Sequence, residues 1–246
     1  MRVAVSEPAT LIPIARELCA RVEAMRFAAP VACVYNPLTY AWAVHEQYLE
    51  RFGAPGKQAV FVGMNPGPWG MAQTGVPFGE VAAVRDWMCL DGLVEQPTVQ
   101  HPARPIEGLH CSRSEVSGRR LWGWAAQRFG PPTNFFHRFF VLNYCPLAFL
   151  EASGRNRTPD KLPAAEREPL QAACDEALRR NVLALQAPLV IGVGAWAEQR
   201  ARLALAGLDL QIGRILHPSP ASPAANRGWE SQVETQLAAL GIELPT

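Results

Sequence analysis

Residues 58–80, QAVFVGMNPGPWGMAQTGVPFGE, constrain the fold more than any other stretch of the chain. Ala59-Val60-Phe61-Val62 is a short apolar run rich in β-branched and aromatic residues, the pattern of a buried strand. It stops at Gly63, and Met64-Asn65-Pro66-Gly67-Pro68 can neither extend a strand nor begin a regular helix. The loop sets one polar side chain, Asn65, just past the strand's carboxyl end, where open α/β sheets hold their ligands. A rigid turn without chemistry is the plainer alternative for this stretch taken alone.

Three more runs read as strands: 138–143 (RFFVLN), 189–193 (LVIGV) and 210–216 (LQIGRIL). Helical spacing or capping signals mark residues 6–27, a helix from the Asn36 cap to about Arg51, and segments 80–88, 114–130, 163–186, 195–207 and 224–240. Residues 91–112, broken by proline and glycine, read as a surface excursion, and 153–159 as a polar loop with Thr158 and Pro159 at a helix start. Strands separated by helices need crossover connections, which predicts an α/β fold with a parallel sheet. No repeat or linker divides the 246 residues, so one domain, 1–246, is expected. Three of the four strands end in a polar residue within a proline-bearing loop: Asn65, Asn143 and His217. A parallel sheet carries all such ends on one edge, so residues far apart in sequence converge on one cleft.

Composition narrows the class. Half the residues are apolar, 18% are charged and the net charge is +1, as in an ordinary globular protein. Lys57 and Lys161 are the only lysines, so nearly all positive charge is arginine, which suits bidentate phosphate contacts. The six cysteines form no CxxC pair, which argues against a zinc ribbon or a clustered Fe–S site. Met1–Val5 runs at once into Ser6 and Glu7, so no secretory leader is read there, and no apolar run reaches the roughly 20 residues of a membrane span. A soluble protein with reduced thiols is expected.

Two asparagines and a histidine supply no paired carboxylates, no strong nucleophile and no metal-ligand set. They suit a reaction whose leaving group departs once its charge is stabilised. Asparagine offers a donor and an acceptor to the edge of an amide-like base, and histidine can donate to a developing oxyanion. Phe78, between Pro77 and Gly79, offers a flat face for stacking.

GMNPGPWGMAQTGVPFGEVAAVRDW, with NYCPL, SGRNRTP and HPSP in order, closely resembles the single-strand-selective monofunctional uracil-DNA glycosylases of the uracil-DNA glycosylase superfamily. The likeness covers most of residues 58–230. It implies a three-layer α/β/α sandwich around a short, mainly parallel four-stranded sheet. By the same resemblance Asn65 would position the water that attacks C1′, and His217 would hydrogen-bond uracil O2 and stabilise the departing anion. Asn143 would read the N3–H and O4 edge, and Phe78 would stack on the flipped base. The Met64 backbone would help hold the base, Gly63 and Gly67 would give it room, and Met71 counts among the substrate-binding positions. The implied reaction releases uracil, and with it 5-hydroxymethyluracil and related oxidised pyrimidines, from single- and double-stranded DNA, leaving an abasic site in base excision repair. It needs no cofactor, no metal and no Schiff base.

Residues 217–229, HPSPASPAANRGW, would enter the duplex beside the flipped base, with Pro218, Ser219, Pro220, Ala221, Ser222 and Asn226 facing DNA. Familiar members carry arginine at Ala221, so a weaker wedge is expected; Trp69 replaces a more familiar phenylalanine. Arg119, Arg120, Arg155 and Arg157 are candidate phosphate contacts, or a solvated face. DNA is the expected partner of a monomer, in the cytoplasm with the nucleoid or in a nucleus. Alternatives are a branch shifted to xanthine or hypoxanthine, a catalytically silent damage-binding module, and a nucleoside-binding flavodoxin-like domain. No phosphate-cradling glycine motif supports the last of these.

Overall fold

The computed structural model describes residues 11–245. The start of the helix expected over 6–27, and the Met1–Glu7 stretch in which no secretory leader is read, lie outside the described residues. In chain order the first half holds α1 (Leu11–Glu23), β1 (Val31–Tyr35), α2 (Pro37–Tyr40), α3 (Trp42–Phe52), β2 (Ala59–Gly63), α4 (Met71–Thr74), α5 (Val116–Phe129) and α6 (Pro132–Arg138). The second half holds β3 (Phe139–Asn143), β4 (Ala148–Glu151), β5 (Asn156–Arg157), α7 (Ala164–Leu185), β6 (Leu189–Val193), α8 (Ala195–Ala204), β7 (Gln211–Ile215) and α9 (Trp229–Ala239).

All four strands read from the sequence are present, and they form one parallel sheet in the order β3-β2-β6-β7. Every residue of β2 and β6 is buried, as expected of central parallel strands covered on both faces. β7 alternates between buried and exposed positions, the pattern of an edge strand. One helical group, α1, α7 and α8, is joined through the contact of α8 with β6; the other, α5, α6 and α9, meets the sheet at β3 and β7. The result is the expected α/β/α sandwich. No helix among the described residues is long and apolar enough to cross a membrane.

The sequence showed nothing of a second, antiparallel sheet in the order β1-β4-β5. β1 pairs with β4 across more than a hundred residues of chain, so no local pattern announces it, and β4 hides in an apolar stretch just after β3. The single helix expected from Asn36 to Arg51 is broken at Ala41. Asn36 does cap its first piece, accepting the Leu38 N–H. The helix expected over 80–88 is short and ends in a wider turn at Ala83–Trp87. α6 fills the stretch between the expected 114–130 helix and the expected strand, to which no element had been assigned, and takes Arg138 from that strand.

The 91–112 segment is irregular, as expected, but it is not a mere surface excursion. His101, Ile106 and Cys111 are buried within it. Its backbone is satisfied by side chains from the body of the protein: Gln73 Oε1 accepts from Glu107 N at 2.8 Å, and Gln73 Nε2 donates to Pro105 O at 2.9 Å. Buried loop polar groups must find such partners, and here one glutamine supplies several.

Candidate active site

The parallel register carries Gly63 directly beside Asn143 and Val193 beside Ile215, so the loops after β2, β3 and β7 leave the sheet on one edge. The first two remain zipped beyond the strands, with Tyr144 N donating to Gly63 O and Cys145 N to Met64 O, both at 2.9 Å. A cleft of about 440 Å³ opens between these loops, lined by Met64, Asn65, Gly67, Phe78, Asn143 and His217. The convergence expected from strand punctuation is therefore real.

Each polar group is oriented by its neighbours. The Asn65 amide nitrogen donates to Leu147 O at 3.2 Å, which turns its Oδ1 away from that carbonyl and leaves it as an open acceptor on the cleft wall. His217 Nδ1 accepts the Ser219 backbone N–H at 3.0 Å. The ring proton must then sit on Nε2, so the imidazole offers a donor. Burial without a countercharge pulls the His217 pKa from 6.5 to about 4, so this donor is neutral at pH 7. Asn143 Nδ2 lies 3.1 Å from the Met71 sulfur. Met71 is buried behind Asn143 and is not part of the cleft wall.

Gly63 serves the contact between two cleft walls. A Cβ there would overlap Asn143 Oδ1 and come within 2.6 Å of Phe78 Cε2. Phe78 itself adopts φ +53°, a left-handed conformation that costs a non-glycine residue energy. It is held there through its carbonyl, which accepts from Trp122 Nε1 at 3.0 Å and from Glu80 N at 2.7 Å. Its ring centroid lies 6.0 Å from that of His217. Gly67 departs from its expected part: the space beside its Cα is filled by the Glu115 carboxylate, which a Cβ would overlap.

The 217–228 loop is a self-bonded turn. Ser219 Oγ accepts from Ala221 N at 3.1 Å, and Asn226 Nδ2 donates to Pro220 O at 2.8 Å. Arg120 of α5 staples it, donating to Pro218 O at 3.0 Å and to Asn226 Oδ1 at 2.8 Å. Pro218 is buried, and Asn226, though exposed, has both ends of its amide engaged by Pro220 O and Arg120, so these two hold the loop. Pro220 and Ala221 are exposed at its tip, and Ser219 and Ser222 partly so. Of the arginines named as phosphate contacts, Arg120 is this staple and Arg157 pairs with Glu151 at 2.8 Å, while Arg119 and Arg155 are exposed.

Reading the sequence missed Glu115, Asn156 and Thr158, all on the cleft wall. Glu115 looked like part of a helix start; its side chain makes no cap and instead accepts the Trp69 N–H at 3.3 Å. Burial raises its carboxyl pKa from 4.5 to about 7; the residue keeps some exposed surface while the carboxyl end is enclosed. Asn156 reaches the site through β5 and donates to Pro66 O at 3.3 Å. Arg104 and Arg113 lie 5.2 and 4.7 Å from the centroid of the Trp69 ring, giving the cleft a cationic rim. Neither lysine lines the cleft: Lys57 is buried at the opposite end of β2, where it donates to Phe136 O.

Comparison with known proteins gives the family. The uracil DNA glycosylase superfamily model matches residues 50–238. The single-strand selective monofunctional uracil-DNA glycosylases of Rattus norvegicus and Mus musculus are each 52% identical over 92% of this chain, covering 82% and 81% of their own length. That of Bos taurus is 53% identical over 89% of this chain and 81% of its own. The crystal structure of wild-type SMUG2 from Pedobacter heparinus superposes with a TM-score of 0.64 over 93% of this chain and 97% of that one, at 15% identity, a likeness of fold. The chain therefore belongs to the single-strand-selective monofunctional uracil-DNA glycosylases, within the uracil-DNA glycosylase superfamily.

Proposed function

We propose that this protein hydrolyses the N-glycosidic bond of uracil in DNA and leaves an abasic site. The observation that carries the reading is the arrangement of His217 and Asn65: a neutral imidazole fixed as an Nε2–H donor shares one cleft with an amide fixed as an Oδ1 acceptor. A base entering between them would stack on Phe78 and present its N3–H and O4 edge to Asn143.

The C1′–N1 bond would break first, its electron pair passing to the uracil ring and building charge on O2, while the sugar becomes an oxocarbenium ion. His217 Nε2–H would stabilise that charge by a hydrogen bond without transferring its proton; such a preset donor is worth about 3 kcal/mol in comparable sites. Water held by Asn65 Oδ1 would then add to C1′ and lose its proton to solvent, because an amide is too weak a base to take it. No lysine amine faces the cleft to attack C1′, in keeping with a hydrolase that has no lyase step.

Single-stranded DNA is the preferred substrate form, as the relatives' names say of them, with duplex DNA a poorer one given the small Ala221 at the loop tip. 5-Hydroxymethyluracil and related oxidised pyrimidines belong to the same substrate set by family resemblance. Such an enzyme works wherever DNA is held, nucleoid or nucleus, and opens base excision repair. The test is incubation with oligonucleotides carrying uracil, 5-hydroxymethyluracil, xanthine or hypoxanthine, single- and double-stranded. Alkali-labile sites at uracil, lost in Asn65→Ala and His217→Ala, are expected. Binding without base release would favour a silent module, and release of purines alone a shifted specificity.

A further inference from the structure

Glu115 contributes a carboxylate to the cleft wall, and the chemistry above makes no use of it. We propose that Glu115 is a positioning residue for the Asn65 loop: seated against Gly67 and Gly70 and accepting the Trp69 N–H, it fixes the turn that presents Asn65 Oδ1 to the scissile bond. What the loop is positioned to do rests on the base-excision reading; the clamp itself does not.

Residues 65–70 lie in neither strand nor helix, and their backbone bonds gather at the α4 end: Gly70 N to Gly67 O at 3.4 Å, Ala72 N to Gly67 O at 3.2 Å, and Gln73 N and Thr74 N to Gly70 O at 2.8 and 3.2 Å, with Asn65, Pro66 and Trp69 in none of them. An irregular segment with so little internal bonding keeps one shape only if groups outside it impose that shape. Its first half is tied by Asn65 to Leu147 O and by Asn156 to Pro66 O. Its second half is held by Gln73, whose Nε2 donates to Pro68 O at 3.0 Å, and by Glu115, which accepts the Trp69 N–H at 3.3 Å and fills the space beside both glycines. The two glycines are fitted to that grip. A Cβ at Gly67 would overlap the carboxylate, and one at Gly70 would lie 2.9 Å from its Cδ.

The clamp also has a rigid base. Glu115 immediately precedes α5, whose Gly118 lies so close to Phe78 O that a Cβ would overlap it, and whose Trp122 donates to the same carbonyl. One helix therefore sets both the Asn65 loop, through Glu115, and the Phe78 platform. The carboxylate sits among backbone groups with no ion-pair partner among the described residues. The charged or titratable groups on neighbouring elements include Arg104 and Arg113, over the Trp69 ring, Glu80, packed against Gly118 of α5, and neutral His217. Burial accordingly keeps the carboxyl half-protonated near neutrality, and its ionised form is the stronger acceptor for the Trp69 N–H.

Two measurements on the full chain test this, with thermal unfolding used to show that each variant is folded. In single-turnover release of uracil from a single-stranded oligonucleotide, Glu115→Ala is expected to lower the chemical rate by about 10²-fold, the scale of a small misplacement of a catalytic group, with apparent KM within about threefold. Glu115→Gln, which keeps an acceptor of the same shape, should recover to within about fivefold of the parent and abolish the rise in rate between pH 6 and 8 that is expected of the parent. Gly67→Ala, which displaces the carboxylate without removing it, should reproduce the Glu115→Ala loss and serves if that variant does not fold. Amide hydrogen exchange of Trp69 and Gly70 should accelerate at least about tenfold in Glu115→Ala and Gly67→Ala, an effect independent of any chemistry. Unchanged exchange overturns the clamp whatever the activity, and so does a Glu115→Gln variant as slow as Glu115→Ala. A parent protein that releases no uracil yet shows the exchange effect overturns the base-excision reading and leaves the clamp standing.

Discussion

The Ser219 N–H points at His217 Nδ1 over 3.0 Å, so the loop that carries the histidine also chooses its tautomer. With the proton confined to Nε2 and the pKa drawn down to about 4 by burial, the ring is a neutral donor throughout the physiological range. NMR titration of the His217 ring should show Nε2–H as the sole ring proton at pH 7 and no titration between pH 6 and 8. A midpoint near 6.5 would remove the preset donor from the mechanism. Because the folded pKa lies below the unfolded one, the stability it contributes is present above pH 6.5 and is lost as pH falls toward 4.

His45 follows the same logic in a purely structural setting. It is fully enclosed, donates Nδ1–H to Gly75 O at 2.7 Å, and its pKa is lowered by burial to about 4. Acidification from pH 6.5 to 4 should remove up to about 3 kcal/mol of folding stability through this residue. Denaturant midpoints for the parent and His45→Gln should converge as pH falls. Parallel curves would mean that His45 is protonated without cost.

Gly63 lets Asn143 and Phe78 approach each other. Gly63→Ala should cost about 1–3 kcal/mol of stability from overpacking. It should also lower uracil release about 10²-fold, because the Asn143 amide and the Phe78 ring, proposed to read the base and to stack on it, are pushed apart. Calorimetry with single-turnover assays reads both; full activity would show that the two walls relax independently.

Arg120 is the staple between α5 and the 217–228 loop. Arg120→Ala should weaken single-stranded DNA binding about tenfold, since two charge-assisted hydrogen bonds that order the loop are lost. Arg119→Ala, its exposed neighbour without those bonds, should leave binding within about twofold in moderate salt. Equal effects of the two substitutions would reduce Arg120 to a surface charge.

Ala221 lies exposed at the tip of the same loop, with its N–H already held by Ser219 Oγ. A longer cationic side chain has room there. Ala221→Arg should raise activity on duplex DNA several-fold more than on single strands, because only the duplex needs a wedge to replace the flipped nucleotide. Equal gains on both substrates would point to general charge attraction.

The sequence by itself determined the parallel sheet and the edge on which the chemistry gathers. Short apolar runs, three of the four closed by a polar residue in a proline-bearing loop, are local signals, and parallel pairing does the rest. Asn65, Asn143 and His217 were legible for that reason and Phe78 from its place between Pro77 and Gly79, and a long motif with its neighbours in order placed the chain in a family. The tertiary structure alone decided which atom each of them presents. The Leu147 carbonyl turns the Asn65 amide and the Ser219 N–H sets the His217 tautomer, because a side chain's orientation is fixed by partners that meet it only in the folded chain. It also decided what fills the space beside Gly67. Glu115 and Asn156 arrive from a helix start and from a second sheet built on long-range antiparallel pairing, neither of which leaves a periodic trace in the residues. The loop after β2 thus carries its key residue in the sequence and takes its shape from outside.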